Sequence, residues 1–228
     1  VSTWALLVAA GLGERLGADR PKAFVALGGR PLLAESLERL ECSSWTESIV
    51  IASAPGWEEP TILLAEELAA AKVRAVVTGG ATRAESAQRA LGEVPEDALA
   101  VLVHDAARPL LDDGVIERVL GALAAGFDGA VPGLPIPDTV KRVRSGLVLE
   151  TVDRTELVAV QTPQAFTTAA ITKAFAGDLA ETTDCASLVE RTGGRVAVVP
   201  GDPRLLKVTT AGDLALVERM LEWSRRDK

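Results

Sequence analysis

The first residues able to do chemistry lie in one run, Ala9-Ala10-Gly11-Leu12-Gly13-Glu14-Arg15-Leu16-Gly17-Ala18-Asp19-Arg20-Pro21-Lys22. Gly11 and Gly13 permit a tight turn whose backbone N–H groups come close to an anion. Arg15 adds a forked donor and Lys22 a point charge, a pair suited to a polyphosphate. Two familiar phosphate loops are excluded. A dinucleotide fingerprint would need glycine where Leu16 stands, and the Gly-Lys-Ser/Thr of a Walker loop occurs nowhere in the chain. The same residues also suit a plain glycine turn with solvated charges beside it.

Two more clusters follow apolar runs. In Thr78-Gly79-Gly80-Ala81-Thr82-Arg83-Ala84-Glu85-Ser86, glycines such as Gly80 allow a flat base to approach, and Ser86 offers a hydroxyl. An ordinary turn into a helix would use the same residues. In Val103-His104-Asp105-Ala106-Ala107-Arg108-Pro109, the Asp105 carboxylate can hold a ribose hydroxyl or a magnesium ion carried on phosphates. It can equally form a structural ion pair with Arg108. His104 is the only histidine, which excludes a His-rich metal site, and it reads as a hydrogen-bonded structural residue. Further on stand Asp138-Thr139-Val140-Lys141, Thr151-Val152-Asp153-Arg154, Thr162-Pro163-Gln164, Thr183-Asp184 and Leu206-Lys207-Val208-Thr209. Their threonine hydroxyls, with Arg154 and Lys207, would together suit a phosphate monoester. Taken singly, each is also an ordinary turn or cap residue.

These groups need elements to position them, and the hydrophobic pattern supplies alternating ones. Residues 4–9, 48–52, 74–77 and 100–104 are short Val/Leu/Ala-rich runs that read as buried strands. Residues 32–40, 58–71, 83–91 and 112–125 carry apolar side chains at helical spacing. This alternation predicts a mostly parallel α/β sheet covered on both faces, with ligands beyond the carboxyl ends of its strands. The pattern breaks over 129–164, where Pro132, Pro135 and Pro137 interrupt helix formation. Two extended runs, 139–144 and 147–152, flank Ser145-Gly146 and predict a hairpin, polar and basic enough to project as an arm over about 136–156. Beyond it the reading is strand at 157–161, helices at 169–175 and 184–191, strands at 196–199 and 205–208, and a last helix at 211–223. Residues 1–228 are expected to form a single domain with this arm.

Composition narrows the function classes. The 228 residues are 48% hydrophobic and 25% charged, which excludes a disordered chain. With 24 Lys+Arg against 32 Asp+Glu the net charge is -8, so nucleic acid is not an expected partner and any basic site must be compact. Cys42 and Cys185 lie far apart and outside any CxxC pattern, so neither a zinc site nor a disulfide framework is expected. The opening apolar run is too short to cross a bilayer and lacks the basic start of a signal peptide; the expectation is a cytoplasmic protein with no membrane partner.

Taken in order, Ala-Ala-Gly-x-Gly-x-Arg…Pro-Lys, Gly-Gly-x-x-Arg-x-x-Ser, Val-His-Asp-Ala-Ala-Arg-Pro, Asp-Thr-Val-Lys, Thr-Val-Asp-Arg, Thr-Pro-Gln and Lys-Val-Thr closely resemble the 2-C-methyl-D-erythritol 4-phosphate cytidylyltransferase family. The likeness runs from about residue 4 to residue 220. It implies a Rossmann-like nucleotidyltransferase sheet, a projecting β-arm, and CMP transfer from CTP to methylerythritol phosphate with release of pyrophosphate. Mg²⁺ or another divalent cation is implied, and so is a homodimer whose arms cross. The length of 228 residues is expected to leave no room for the cyclodiphosphate synthase domain fused in some relatives. By the same resemblance Arg15 and Lys22 stabilise the transition state. Ala9, Ala10, Gly11, Gly13, Gly80, Ser86, Asp105 and Ala106 line the CTP site. Asp105, Arg108, Thr139, Arg154, Thr162, Thr183 and Lys207 hold the acceptor, Arg154 and Lys207 positioning its phosphate for attack, and Asp105 is the metal-proximal carboxylate. Val8, Ala81, Cys185 and Leu205 depart from the usual pattern. The competing readings are a cytidylyltransferase for another polyol phosphate such as ribitol 5-phosphate, a sugar-1-phosphate nucleotidyltransferase, and a non-catalytic CTP-binding protein.

Overall fold

The computed structural model describes residues 2–13, 16–17, 19–180 and 182–226. Thr3–Ala9 (β1) leads through a 3₁₀ turn at Lys22–Phe24 to a small ribbon, Ala26–Leu27 (β2) and Arg30–Pro31 (β3). Then come Leu32–Cys42 (α1), Ser48–Ser53 (β4), Glu58–Glu67 (α2), Val73–Thr78 (β5), Arg83–Leu91 (α3), Ala100–Asp105 (β6) and Asp113–Ala124 (α4). The second half contributes Gly129–Pro135 (β7), Val140–Arg144 (β8), Leu147–Val152 (β9), Val158–Val160 (β10), Gln164–Thr167 (β11), Thr168–Phe175 (α5), Cys185–Arg191 (α6), Val196–Pro200 (β12) and Ala211–Arg226 (α7).

The main sheet runs β10-β7-β11-β6-β1-β4-β5, and β12 pairs with β7. β1 is parallel to both β4 and β6, and β4 to β5, so the half that the sequence reads as alternating is wholly parallel. β11 is antiparallel to both β6 and β7, so it is a reversed strand set between two that run the same way, and β12 continues parallel to β7. Period-2 side-chain alternation divides the core between two faces. Ala5, Leu7, Ile49, Ile51 and Leu102 pack on one side under α1, α2 and α4. Leu6, Val50, Ala52, Val101 and Val103 pack on the other with α3, α5 and α6. Having both faces buried explains why these strands read as continuous apolar runs.

Register sets the strand ends level. Ala9 lies beside Ser53, Ser53 beside Thr78, and Asp105 beside Val8. The turns following β1, β4, β5 and β6 therefore open on one edge of the sheet.

Three stretches differ from the pattern reading. Gly129–Pro135 is a strand despite two prolines; Pro132 lacks a donor, but its carbonyl still accepts from Gln161 N–H. Gln164–Thr167 is also a strand, too short and polar at its start to stand out. Residues 205–208 are not a strand. Leu205 and Val208 are wholly buried as separate plugs, one in the core under α4 and one beneath α7, while Val208 N–H bonds Ala107 O at 2.8 Å. β8 and β9 pair only with each other, joined at Ser145 (φ 50°) and Gly146 (φ 79°), the two left-handed residues of a type I′ turn. Both faces of this ribbon are exposed, with Leu147 at 72%.

Candidate active site

A cleft of about 870 Å³ occupies that level edge, within the ~300–1,000 Å³ typical of small-molecule sites. Each wall is a turn leaving a parallel strand: Ala10–Gly13 after β1, Pro55 after β4, Gly79–Arg83 after β5, and Ala106–Ala107 after β6. Lys207 and Thr209, from the irregular segment after β12, close the remaining side. Ala9, Ala10, Gly11, Gly13, Lys22, Gly80, Ser86, Asp105, Ala106 and Lys207 all line it. Arg15 lies outside the described residues.

Glycine geometry shapes the first wall. Gly13 has φ +74°, and a Cβ there would stand 2.8 Å from Lys22 Cβ. Only glycine lets the loop fold back onto Lys22, whose N–H bonds Gly11 O at 3.1 Å. Lys22 Nζ then reaches Val208 O at 3.0 Å, linking this loop to the segment that carries Lys207. On the opposite wall Ser86 Oγ accepts from Gly80 N–H at 3.0 Å and donates to Thr82 O at 2.8 Å. Thr82 caps α3, and Glu85 reaches back to Ala81 N–H at 2.8 Å.

Asp105 is the one carboxylate lining the cleft among the described residues. Its Oδ1 accepts from Arg83 Nε at 2.7 Å and its Oδ2 from Lys207 Nζ at 2.7 Å. Burial alone would raise this carboxyl, but the two cations outweigh it and hold Asp105 well below the usual carboxylate range. Burial likewise opposes the charge on Arg83, and Asp105 more than offsets it, so the guanidinium stays ionised. Arg83 Nη1 points at Cys185 Sγ at 3.2 Å, and Nη2 is buried without a hydrogen-bond partner, an omission that costs about 1–3 kcal/mol. The sequence marks Arg83 only as one letter of the Gly-Gly-x-x-Arg-x-x-Ser pattern. Its partnership with a residue 22 positions away carried no local signal. Two departures from the family pattern also find their places: Cys185 is the buried thiol facing Arg83, and Leu205 is a core plug.

Other sequence-singled residues stand off the cleft. Arg108 braces the Lys207 segment, Nη1 donating to Leu205 O and Nη2 to Val160 O. Thr162 is buried; its hydroxyl accepts from Asp105 N–H at 3.1 Å and bonds His104 Nδ1 at 3.2 Å. His104 Nε2 bonds Arg108 O at 3.1 Å, so both ring nitrogens are occupied and the ring is wholly buried. It is a structural histidine. Gln164 pins the start of α6, its amide donating to Asp184 and accepting from Cys185 N–H. Thr183 is exposed just before that helix. Thr139 and Arg154 flank the exposed ribbon, and Arg154 donates to Pro137 O. Neither lines the cleft of its own chain among the described residues.

Among the described residues no three His, Cys, Asp or Glu side chains cluster to hold a metal. The donor set fits a divalent ion that arrives on phosphate oxygens and takes at most one protein carboxylate, Asp105.

The family model described as 2-C-methyl-D-erythritol 4-phosphate cytidylyltransferase matches residues 3–223. A protein of that name from Saccharopolyspora erythraea is 45% identical, covering 97% of this chain and all of its own. The one from Nocardia farcinica is 44% identical over 97% of this chain and 94% of its own. Among solved structures, the 2-C-methyl-D-erythritol 4-phosphate cytidylyltransferase of Thermus thermophilus superposes with a TM-score of 0.77 at 35% identity, covering 96% of this chain and 98% of that one. A sheet edge built of glycine turns, basic side chains and one carboxylate, together with likeness along nearly the whole length, places this chain in the 2-C-methyl-D-erythritol 4-phosphate cytidylyltransferase family.

Proposed function

We propose that this chain transfers CMP from CTP to 2-C-methyl-D-erythritol 4-phosphate, releasing pyrophosphate, in the non-mevalonate route to isoprenoids. The observation that carries the reading is the convergence of Lys22, Asp105 and Lys207 on a glycine-walled cleft that, among the described residues, offers no side chain placed as a general base. A phosphate monoester has its second pKa near ~6 and is an anionic nucleophile at neutral pH, so it needs no such base. An oxygen of the acceptor phosphate attacks the α-phosphorus of CTP, and the bond from that phosphorus to the β-phosphate bridging oxygen breaks, releasing pyrophosphate. The requirement is charge neutralisation around the α-phosphate as pyrophosphate leaves.

Lys22, with Arg15 by resemblance, supplies that charge. The Ala9–Gly13 turn and the Gly80–Ser86 wall hold the nucleotide, Ala106 and Asp105 lie on its ribose side, and Lys207 takes the acceptor phosphate. Mg²⁺ or another divalent cation on the triphosphate, within reach of Asp105, would neutralise the departing pyrophosphate. Thr139 and Arg154 flank the exposed ribbon, which carries apolar Val143, Leu147, Val148 and Leu149. This supports a homodimer in which each arm delivers Thr139 and Arg154 to the partner's cleft. Arg108, Thr162 and Thr183 complete the acceptor side, the first two through the backbone they brace. The whole chain acts as one nucleotidyltransferase domain. No described helix is long and apolar enough to cross a membrane, and a water-soluble substrate pair suits work in the cytoplasm.

The test is pyrophosphate release with CTP and Mg²⁺, offering methylerythritol phosphate and ribitol 5-phosphate in parallel. Turnover with the first alone, abolished in Lys22→Ala, is the expected result. Preference for ribitol 5-phosphate would keep the chemistry and replace the substrate. CTP binding without turnover on either would make the chain a binding protein.

A further inference from the structure

Asp105 carries one negative charge and faces two cations of different character. Arg83 is the first residue of α3, side chain 20% exposed, held between Asp105 and the buried Cys185 thiol. Lys207 is 38% exposed and rises from an irregular segment anchored by its buried neighbours Leu205 and Val208. The inner cation is fixed by a helix and the outer one is free to turn toward a ligand. A carboxylate only 8% exposed cannot be left without a counter-charge. With Arg83 in place, Lys207 can leave Asp105 for a phosphate and the carboxylate remains paired. Without Arg83, the same movement would strand a buried charge, and Asp105 would retain Lys207.

We propose that Arg83 is a positioning residue: it acts through Asp105 to keep Lys207 exchangeable between its resting ion pair and the phosphate of the incoming acceptor. The role rests on the cytidylyl-transfer reading of the cleft. Arg83 stands in the cleft wall with Nε on Asp105, Nη1 on Cys185 Sγ and Nη2 buried, so its guanidinium is directed at Asp105 and acts on the acceptor side through that carboxylate.

The experiment compares the full chain with Arg83→Gln and Arg83→Lys, measuring kcat, the KM for CTP, the KM for methylerythritol phosphate and the melting temperature. Arg83→Gln is expected to raise the acceptor KM about tenfold while the CTP KM moves by less than about threefold. Arg83→Lys restores a charge of shorter reach, so its acceptor KM should recover to within about threefold of the parent. A general loosening of the fold would instead raise both KM values together and lower kcat, and that result overturns the role. Unchanged kinetics in Arg83→Gln also overturns it. Should Arg83→Gln fail to fold, Arg83→Met, which keeps an apolar stem without the charge, takes its place: a rise confined to the acceptor KM supports the role, and no rise or an equal rise in both refutes it. A parent chain that turns over CTP normally separates these outcomes from failure of the functional reading; a parent silent toward both acceptors overturns the two together.

Discussion

His104 shows what a single residue does beneath the cleft. A neutral ring with its proton on Nε2 donates to Arg108 O and accepts at Nδ1 from the Thr162 hydroxyl, which itself accepts from Asp105 N–H. The chain of bonds holds the backbone on either side of the catalytic-edge carboxylate. Burial pushes the ring's pKa down to about 4 from 6.5. Between these values the unfolded state binds more protons than the folded one. The contribution is complete above about pH 6.5 and is lost as the pH falls to about 4, an effect on the order of 3 kcal/mol. Urea midpoints measured from pH 8 to pH 4 should fall through this window in the parent and less steeply in His104→Gln. Equal slopes in the two proteins would place the titration on another group.

At the scale of elements, the phosphate-side wall depends on a turn that only glycine can make. Gly13→Ala would bring a Cβ to 2.8 Å from Lys22 Cβ and 3.2 Å from its Cα, at φ +74°. The loop must then open, and Lys22 must leave its place beside Val208 O. The left-handed conformation adds about 1–2 kcal/mol of strain. Expected is a fall in kcat of about tenfold or more, as for a misplaced charge at a transition state, with an unchanged circular dichroism spectrum and a melting temperature within a few degrees of the parent. Retained activity would show that the loop reforms around the methyl group. The alternating strands and helices of the first half were legible because both faces of the sheet are covered. Gly129–Pro135 was not, since a strand holding two prolines is tolerated only by the way its neighbours use its carbonyls.

At the scale of the whole molecule, the homodimer reading asks two chains to complete two sites. Thr139 and Arg154 flank a ribbon whose apolar side chains face solvent in the single chain. Replacing Leu147 and Leu149 by glutamate places charges on that surface without touching the cleft. Light scattering should then report a shift from dimer toward monomer, and turnover should fall with it while CTP binding persists. Dimers of full activity after this change would assign the interface to another face. Methylerythritol phosphate affinity in the monomer should fall more than CTP affinity, because only the acceptor side draws on the partner's arm.

Local pattern determined the alternating half of the fold, the hairpin turn and the motifs at the strand ends. These follow from period, turn chemistry and residue type, all of which act over a few neighbouring positions. Tertiary structure decided the rest. It turned 205–208 from an apparent strand into two core plugs, because burial of a Leu and a Val can be met by separate pockets as well as by a sheet. It set Thr162 beneath the cleft surface and joined it to His104 and the Asp105 backbone in a supporting network. It joined Arg83, Asp105 and Lys207, three residues spread over more than half the chain. Charge pairing across strands depends on register and on which helix follows, and no run of neighbouring residues encodes either.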